Sequence, residues 1–526
     1  MSRIKKFFQR LKKAFLKQPI LYAILILLIV IGGWLRLYRI DSTIMFQGDQ
    51  GRDAIIVAKI FKDFDLAFVG PVTSIGNMYL GPFYYYFMLP FLFISYPSPV
   101  GPAVGVALAN IAAIAIFYFL GSKMVGKKAA LWASFFFTFS NVGIFYSRFS
   151  WNPNLSALCA FLTLYFLYQA LNNKTKNWLW VGLTAGILIQ LHYVNLIVIA
   201  ICGLFWFYQW WQKRRDRFWQ KNNHFWQYSF GAIAIFVLTM VPLIFFDWKY
   251  DWRNIAAAGA IFGKEESFSN KQSAGLLSEI NLYRYHFRDR AQQIIVNLTL
   301  PEFSQIPHIY LLAYVILITF LIISYRRKND EHGLGYQIFG VSLLVSITIT
   351  AFYRHNVYDH YLLSALPISC FVLGCLVSWL PKKNWTFLVN LAIGVIFLSG
   401  NYQSNFYKQD YMLNQIDQLT DFLLKNVNEE EEFGVSLINS NGDSFGEHYR
   451  YFLETKTDKL VPISRTPNVN TLLIIDETQE ANLEDSANFD IVVFRNAQAS
   501  VSALPYDGHK IYKMEKLVEE VDYDKR

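Results

Sequence analysis

Six stretches of the chain carry side chains that could do chemistry. The first reads Phe46-Gln47-Gly48-Asp49-Gln50-Gly51-Arg52-Asp53-Ala54. An acid between glycines can approach a ligand closely, because glycine adds no side chain of its own. Asp49, or Asp53 four residues on, could then take a proton from a hydroxyl as a general base. The same letters suit the start of a helix with Asp49 as its cap, since residues 55, 56, 57, 60, 61 and 64 form an apolar face. Pro82-Phe83-Tyr84-Tyr85 places two phenols beside a turn, as substrate contacts or as interface anchors. In Ser147-Arg148 the guanidinium either snorkels or pairs with a phosphate, while Asn152 and Pro153 suit a helix start. His192 stands at the end of an apolar run, as a structural group or a ligand contact. The segment Tyr283–Arg290 interleaves aromatic and basic residues and offers Arg284 and Arg288 to a lipid phosphate, or forms a solvated helical face. The last stretch, Tyr353–Tyr361, is dense in polar groups between two strongly apolar runs. Arg354 supplies a permanent forked charge there, and His360 can donate a hydrogen bond in either protonation state.

The elements that must position these groups are apolar. Of 526 residues, 54% are hydrophobic and 17% aromatic, concentrated before residue 402. Runs such as 20–33 and 309–324 have too little polar surface for a water-soluble fold. Backbone groups in lipid must pair with one another, which requires helices. Eleven spans are expected near 20–38, 99–122, 129–146, 153–171, 178–193, 195–211, 228–246, 308–325, 335–353, 361–380 and 385–401. Six basic clusters, at 3–17, 123–128, 174–176, 213–221, 326–328 and 382–383, then all face the cytoplasm, as the positive-inside rule asks. The N-terminus is expected inside and the tail outside, in a plasma (inner) membrane. This requires 83–94, with Pro90 and three tyrosines, to lie along the outer leaflet without crossing.

Charge divides the chain at the same border. Residues 402–526 hold 12 Lys/Arg against 23 Asp/Glu, and residues 1–401 hold 36 against 16. The positive charge lies in loops between spans, so it reports topology and not nucleic-acid binding. No Gly-rich phosphate loop is present, so no cytoplasmic nucleotide is implied as donor. All four cysteines fall in apolar runs and imply neither a disulfide framework nor a zinc site. The tail reads as a small α/β domain. Helices are expected near 411–426 and 446–453, and strands at 433–438, 471–475, 490–494 and 509–516. No catalytic constellation is visible in it.

The order of these motifs resembles the GT-C class of integral-membrane glycosyltransferases. The likeness is to the bacterial branch related to dolichyl-phosphate-mannose protein mannosyltransferases and the lipid A aminoarabinose transferase. The matching features are Asp49-Gln50 after the first span, Pro82-Phe83-Tyr84-Tyr85, Ser147-Arg148, and His360-Tyr361-Leu362-Leu363-Ser364-Ala365-Leu366-Pro367. They cover 1–401 well and the tail weakly. Gln50 departs from the family pattern, which usually has Glu.

The resemblance implies a mainly α, polytopic fold with juxtamembrane helices and a small extracytoplasmic α/β domain, divided as 1–401 and 402–526. It implies transfer of a sugar from a polyprenyl-phosphate donor, with inversion, to an acceptor that is a lipid, a glycan or a protein. Asp49 is then the base, with Asp53 as fallback. Arg354, His360, Arg284, Arg288 and Arg148 are donor-phosphate candidates, and Gln50, Tyr84, Tyr85 and His192 are substrate contacts. Membrane lipids are partners; no metal ligand is assigned, though a divalent ion would suit the chemistry. The competing class is a transporter or flippase of lipid-linked glycans, which should show charged residues within its spans and paired interrupted helices.

Overall fold

The computed structural model describes residues 17–73, 78–257, 276–353, 356–402, 412–440, 442–479, 482–506 and 509–516. Its helices begin with α1 (Pro19–Leu37), α2 (Gly48–Lys62), α3 (Phe83–Ser95), α4 (Val100–Val125), α5 (Lys127–Phe139) and α6 (Asn141–Phe145). Next come α7 (Ser156–Leu171), α8 (Trp178–Leu191), α9 (Leu196–Lys213), α10 (Phe225–Lys249) and α11 (Leu276–Gln292). Then follow α12 (Tyr310–Arg326), α13 (Gly333–Phe352), α14 (Leu366–Ser378) and α15 (Thr386–Ser399). The tail holds α16 (Met412–Lys425), α17 (Glu447–Lys456), α18 (Phe489–Asn496) and strands β1 (Phe433–Ile438), β2 (Thr471–Asp476), β3 (Ser500–Tyr506) and β4 (His509–Glu515).

Each of the eleven expected spans falls on a helix. Among the described residues six helices are long and apolar enough to cross a membrane, and four more are apolar but shorter. The chain is a multi-pass membrane protein. The span expected at 129–146 is broken: α5 stops at Phe139, and Ser140 caps α6 by accepting the Gly143 N–H at 3.0 Å. The span expected at 361–380 starts late, after a 3₁₀ turn at Asp359–Leu362, with Pro367 in the first turn of α14. Segment 83–94 is helical as α3, with Pro90 inside it.

Packing divides the chain into two units. The first comprises Met1–Ile40, Leu66–Met88 and Pro102–Phe406, and the second Asp41–Asp65, Leu89–Gly101 and Tyr407–Arg526. Residues 41–65 and 89–101 thus group with the tail in the second unit.

In the first unit, close approach and buried polar groups fix the helix pairs. Gly126, at φ +87°, makes the one-residue turn between α4 and α5. Gly374 of α14 lies against the Ala129 carbonyl, where a β-carbon would come within 2.5 Å. Arg36 of α1 is fully buried and donates to the Phe137 and Thr138 carbonyls at 3.0 and 3.1 Å and to Ser147 Oγ at 3.2 Å. After α11 a π-helical turn, Gln293–Asn297, continues the chain. Ser369 Oγ donates to the Ile294 carbonyl at 2.7 Å and Asn401 Nδ2 to the Thr299 carbonyl at 2.6 Å, so carbonyls of this irregular stretch are satisfied.

The tail unit is a four-stranded sheet in the order β1-β2-β4-β3, with β1 parallel to β2 and the other two pairs antiparallel. Its core gathers Val461, Val469, Leu472, Ile474, Ile491, Phe494 and Met514. One expectation is corrected here: 490–494 lies in α18 and is not a strand. Asn488 caps that helix by accepting the Asp490 N–H at 3.1 Å, and Ile491 and Phe494, three residues apart, both face the core. β3 was not expected at all. Arg450 of α17 is buried and donates to the carbonyls of Val435, Phe445 and Val461 at 2.8–3.1 Å and to Thr466 Oγ1 at 3.0 Å.

Candidate functional site

Two clusters hold most of the expected residues, one in each unit. In the tail unit, the cap of α2 is Gln47 and not Asp49. Gln47 and Gln50 close a reciprocal capping box, with Gln50 Oε1 accepting the Gln47 N–H at 2.9 Å. Gln50 is buried, its amide oxygen serving the start of its own helix. Asp49 is released from capping and stands half-exposed, whereas Asp53 is buried. Arg52 joins them, 2.7 Å from Asp49 Oδ1 and 2.8 Å from Asp53 Oδ1.

The glycines beside Asp49 serve packing. A β-carbon on Gly48 would stand 2.6 Å from Asp443 Oδ2, and one on Gly51 would stand 2.5 Å from the Glu447 carbonyl carbon. The first turn of α2 therefore rests on the first turn of α17. This brings Glu447 into the field of Asp49, Arg52 and Asp53. Burial above all, with Asp443, Asp53 and Asp49 adding and Arg52 opposing, pushes the Glu447 carboxyl up to about 7.

Behind Glu447, Tyr449 donates to Glu477 Oε1 at 2.9 Å, with His448 Nε2 3.5 Å from the same oxygen and His509 Nε2 3.5 Å from the Tyr449 hydroxyl. Burial works against the Glu477 anion, but bonds from His448 and Tyr449 and the nearby His509 hold its pKa below the usual range. None of this was legible in the tail sequence, which shows no motif at Gly446-Glu447-His448.

In the first unit, three turns meet at the end of the bundle where α1 terminates. Arg148 is buried and donates to the carbonyls of Leu35 and Tyr38 at 3.0 and 2.8 Å, closing the end of α1. Each of its terminal nitrogens thus donates to a carbonyl, which ties the guanidinium to the end of α1. His192 follows α8 and His360 precedes α14, yet their rings lie 6.1 Å apart. The Trp151 ring lies tilted 4.6 Å from His360, and Tyr361 lies 4.3 Å from His360 and 4.9 Å from His192. Burial lowers the His360 pKa to about 4, so the ring is uncharged at neutral pH, and burial raises that of Asp359. Tyr84 is fully buried, its hydroxyl 2.8 Å from Ser150 Oγ beneath the Trp151 turn; Tyr85 is buried as well.

The remaining basic residues do not all join. Arg354 lies outside the described residues. Arg284 is exposed on α11, and Arg288 sits between the rings of Tyr285 and Tyr310, at 4.9 and 5.0 Å. Arg290, the last residue of the Tyr283–Arg290 segment, reaches the late turn by donating to the Thr350 and Tyr353 carbonyls at 3.4 and 3.3 Å. Among the described residues no group of three or more His, Cys, Asp or Glu is placed to hold a metal ion.

The fold has counterparts among solved structures. The crystal structure of ArnT from Cupriavidus metallidurans bound to undecaprenyl phosphate aligns with 96% of this chain and 99% of its own, at TM-score 0.56 and 11% identity. The Archaeoglobus fulgidus oligosaccharyltransferase in the apo form aligns over 90% and 70%, at TM-score 0.54 and 12% identity. The fold is that of the GT-C class of membrane glycosyltransferases. AglB from Archaeoglobus fulgidus, in complex with an inhibitory peptide and a dolichol-phosphate, shares this GT-C fold over 97% of this chain and 75% of its own, at TM-score 0.53 and 12% identity. Within the GT-C spans, residues 81–245 match the dolichyl-phosphate-mannose-protein mannosyltransferase family. No curated protein matches the sequence.

Proposed function

We propose that this protein transfers a glycosyl group from a polyprenyl-phosphate donor to an acceptor hydroxyl on the outer face of the membrane, with inversion. The observation that carries the reading is the His192–His360–Trp151–Tyr361 cluster, built from turns far apart in sequence at one end of a GT-C bundle. Polar groups gathered between apolar helices are a costly arrangement without a ligand. The undecaprenyl phosphate and dolichol-phosphate of the ArnT and AglB structures support a lipid phosphate as the ligand class.

In the reaction the bond from the anomeric carbon to the phosphate oxygen breaks, and its electron pair leaves with the phosphate. The acceptor oxygen bonds to that carbon from the opposite face and gives up its proton to a carboxylate. Asp49 is the candidate for that proton, being the exposed member of the Asp49–Arg52–Asp53 triplet. His360, Arg354, Arg284 and Arg288 are the phosphate candidates.

The test is to reconstitute the purified protein with polyprenyl-phosphate sugars and follow release of free polyprenyl phosphate. Release that requires an acceptor supports transfer. Movement of the intact donor between leaflets without release would make the protein a flippase and end this reading.

A further inference from the structure

We propose that His192 is a fixed, uncharged Nε2–H donor that hydrogen-bonds an oxygen of the lipid-linked glycosyl phosphate. The proposal rests on the functional reading above and names the contact that reading leaves open.

The tautomer follows from the local fold. His192 caps the short turn Tyr193–Asn195, its Nδ1 accepting the Val194 N–H at 3.2 Å. A ring nitrogen that accepts a hydrogen bond carries no hydrogen, so in the neutral ring the hydrogen sits on Nε2. Protonation would set an Nδ1–H against the Val194 N–H, two donors head to head. The turn cannot swing away to relieve this. Asn195 Nδ2 donates to the Leu188 carbonyl at 2.9 Å and to Ser156 Oγ at 3.1 Å. The Tyr193 hydroxyl donates to the Tyr79 carbonyl at 2.5 Å. The backbone that fixes Nδ1 as an acceptor is thus itself held by two other elements, and the ring stays a donor at Nε2.

That Nε2–H has no hydrogen-bond partner among the described residues, and neither do the ring nitrogens of His360 or the indole nitrogen of Trp151. All three rings are half-buried, and their unpartnered nitrogens are not sealed within the protein, so a ligand can reach them. Aromatic faces with a few unspent N–H groups are what binding sites use to orient an oxygen-rich ligand. A neutral donor also suits the chemistry: as the donor's phosphate gains charge on departure, an N–H already aimed at its oxygen binds it more strongly. The anion needs no proton transfer from His192 at any stage.

Two substitutions separate donation from capping. His192→Asn puts an oxygen at the place of Nδ1, so it keeps the Val194 contact and offers nothing at Nε2. His192→Gln reaches the Nε2 position with an amide N–H. The full-length protein is assayed for binding of undecaprenyl phosphate, for binding of a sugar-bearing polyprenyl phosphate, and for its thermal midpoint.

His192→Asn should weaken donor binding about tenfold or more with an unchanged midpoint, and His192→Gln should recover much of it. Equal loss for the bare and the sugar-bearing lipid places the contact on phosphate; loss for the sugar-bearing lipid alone places it on the sugar. Wild-type binding by His192→Asn, in a protein that does use such donors, would overturn this proposal and leave the functional reading standing. A lowered midpoint in both variants would mean that His192 is structural, and would overturn it too. A wild-type protein that neither binds nor consumes any polyprenyl-phosphate sugar would instead remove the functional reading.

Discussion

Gly51 lies so near His448 that a β-carbon at position 51 would stand 2.4 Å from the His448 backbone nitrogen. Two helices about four hundred residues apart in sequence are fitted to each other at that point. In an isolated helix, Gly→Ala is worth about 1 kcal/mol in favour of Ala. Here the sign should reverse, because backbone atoms cannot yield as a flexible side chain can, and overpacking costs roughly 1–3 kcal/mol. Gly51→Ala should lower the unfolding midpoint of the tail unit and open it to protease. A variant as stable as the parent would show that α2 and α17 do not meet this closely.

Glu447 gives the tail unit a pH dependence of unusual sign. Its ordinary pKa of 4.5 is raised to about 7 by burial and by its acidic neighbours. The folded state then holds a proton that the unfolded chain has released, so this group's contribution is full below pH 4.5, falls between 4.5 and 7, and is gone above. Glu447→Gln should flatten that part of the stability–pH curve, leaving the wild type and the variant closest at low pH. Chemical denaturation between pH 4.5 and 8 measures it, and parallel curves for the two proteins would refute the assignment.

Asp49 and Asp53 share Arg52 but differ in exposure, and their variants should differ in kind. Asp49→Asn removes an accessible base and should cut turnover by roughly 10²-fold or more while the tail unit stays folded. Asp53→Asn replaces a buried anion beside Arg52 and should lower stability first. Turnover and unfolding are to be measured on both. Loss of turnover confined to Asp53→Asn, with Asp49→Asn active, would transfer the base role.

Arg450 should be among the least replaceable residues of the tail. Its guanidinium satisfies three carbonyls and one hydroxyl, and burial makes its charge costly. Arg450→Met leaves those acceptors unpaired, at about 1–3 kcal/mol each before relaxation. Loss of the cooperative unfolding transition of the tail is the expected result. An intact transition would mean that water replaces the guanidinium.

What the sequence disclosed and what it withheld follow from the range of the forces involved. The spans were legible because apolar length is a local property, and β1, β2, β4, α16 and α17 because their runs end at clear turn residues. Asp490–Phe494 misled because a run rich in β-branched residues suits a strand, while the deciding signals were the Asn488 cap and the three-residue spacing of Ile491 and Phe494. β3 was hidden by Pro505, which a sheet tolerates on an edge strand such as this one.

The candidate site divides in the same way. His192 and His360 could be picked out as polar groups at turns, but their 6.1 Å approach depends on how α8 and α14 pack. Arg148 looked free because carbonyl acceptors leave no trace in residue type. Glu447 was invisible because all its charged neighbours but Asp443 come from α2, and nothing local to 446–448 announces them.

The pair Arg36 and Arg148 also bears on how the protein can be made. Exchanging the first helix for a standard anchor assumes that any apolar segment of the right length will serve. This one donates through Arg36 to the end of α5 and to Ser147, and receives Arg148 on its own last carbonyls. The first span is a keyed part of the bundle and not a modular anchor. A chimaera with a foreign first helix inserts two mismatches at once, a lost guanidinium and a misplaced acceptor, next to the turn that carries Trp151.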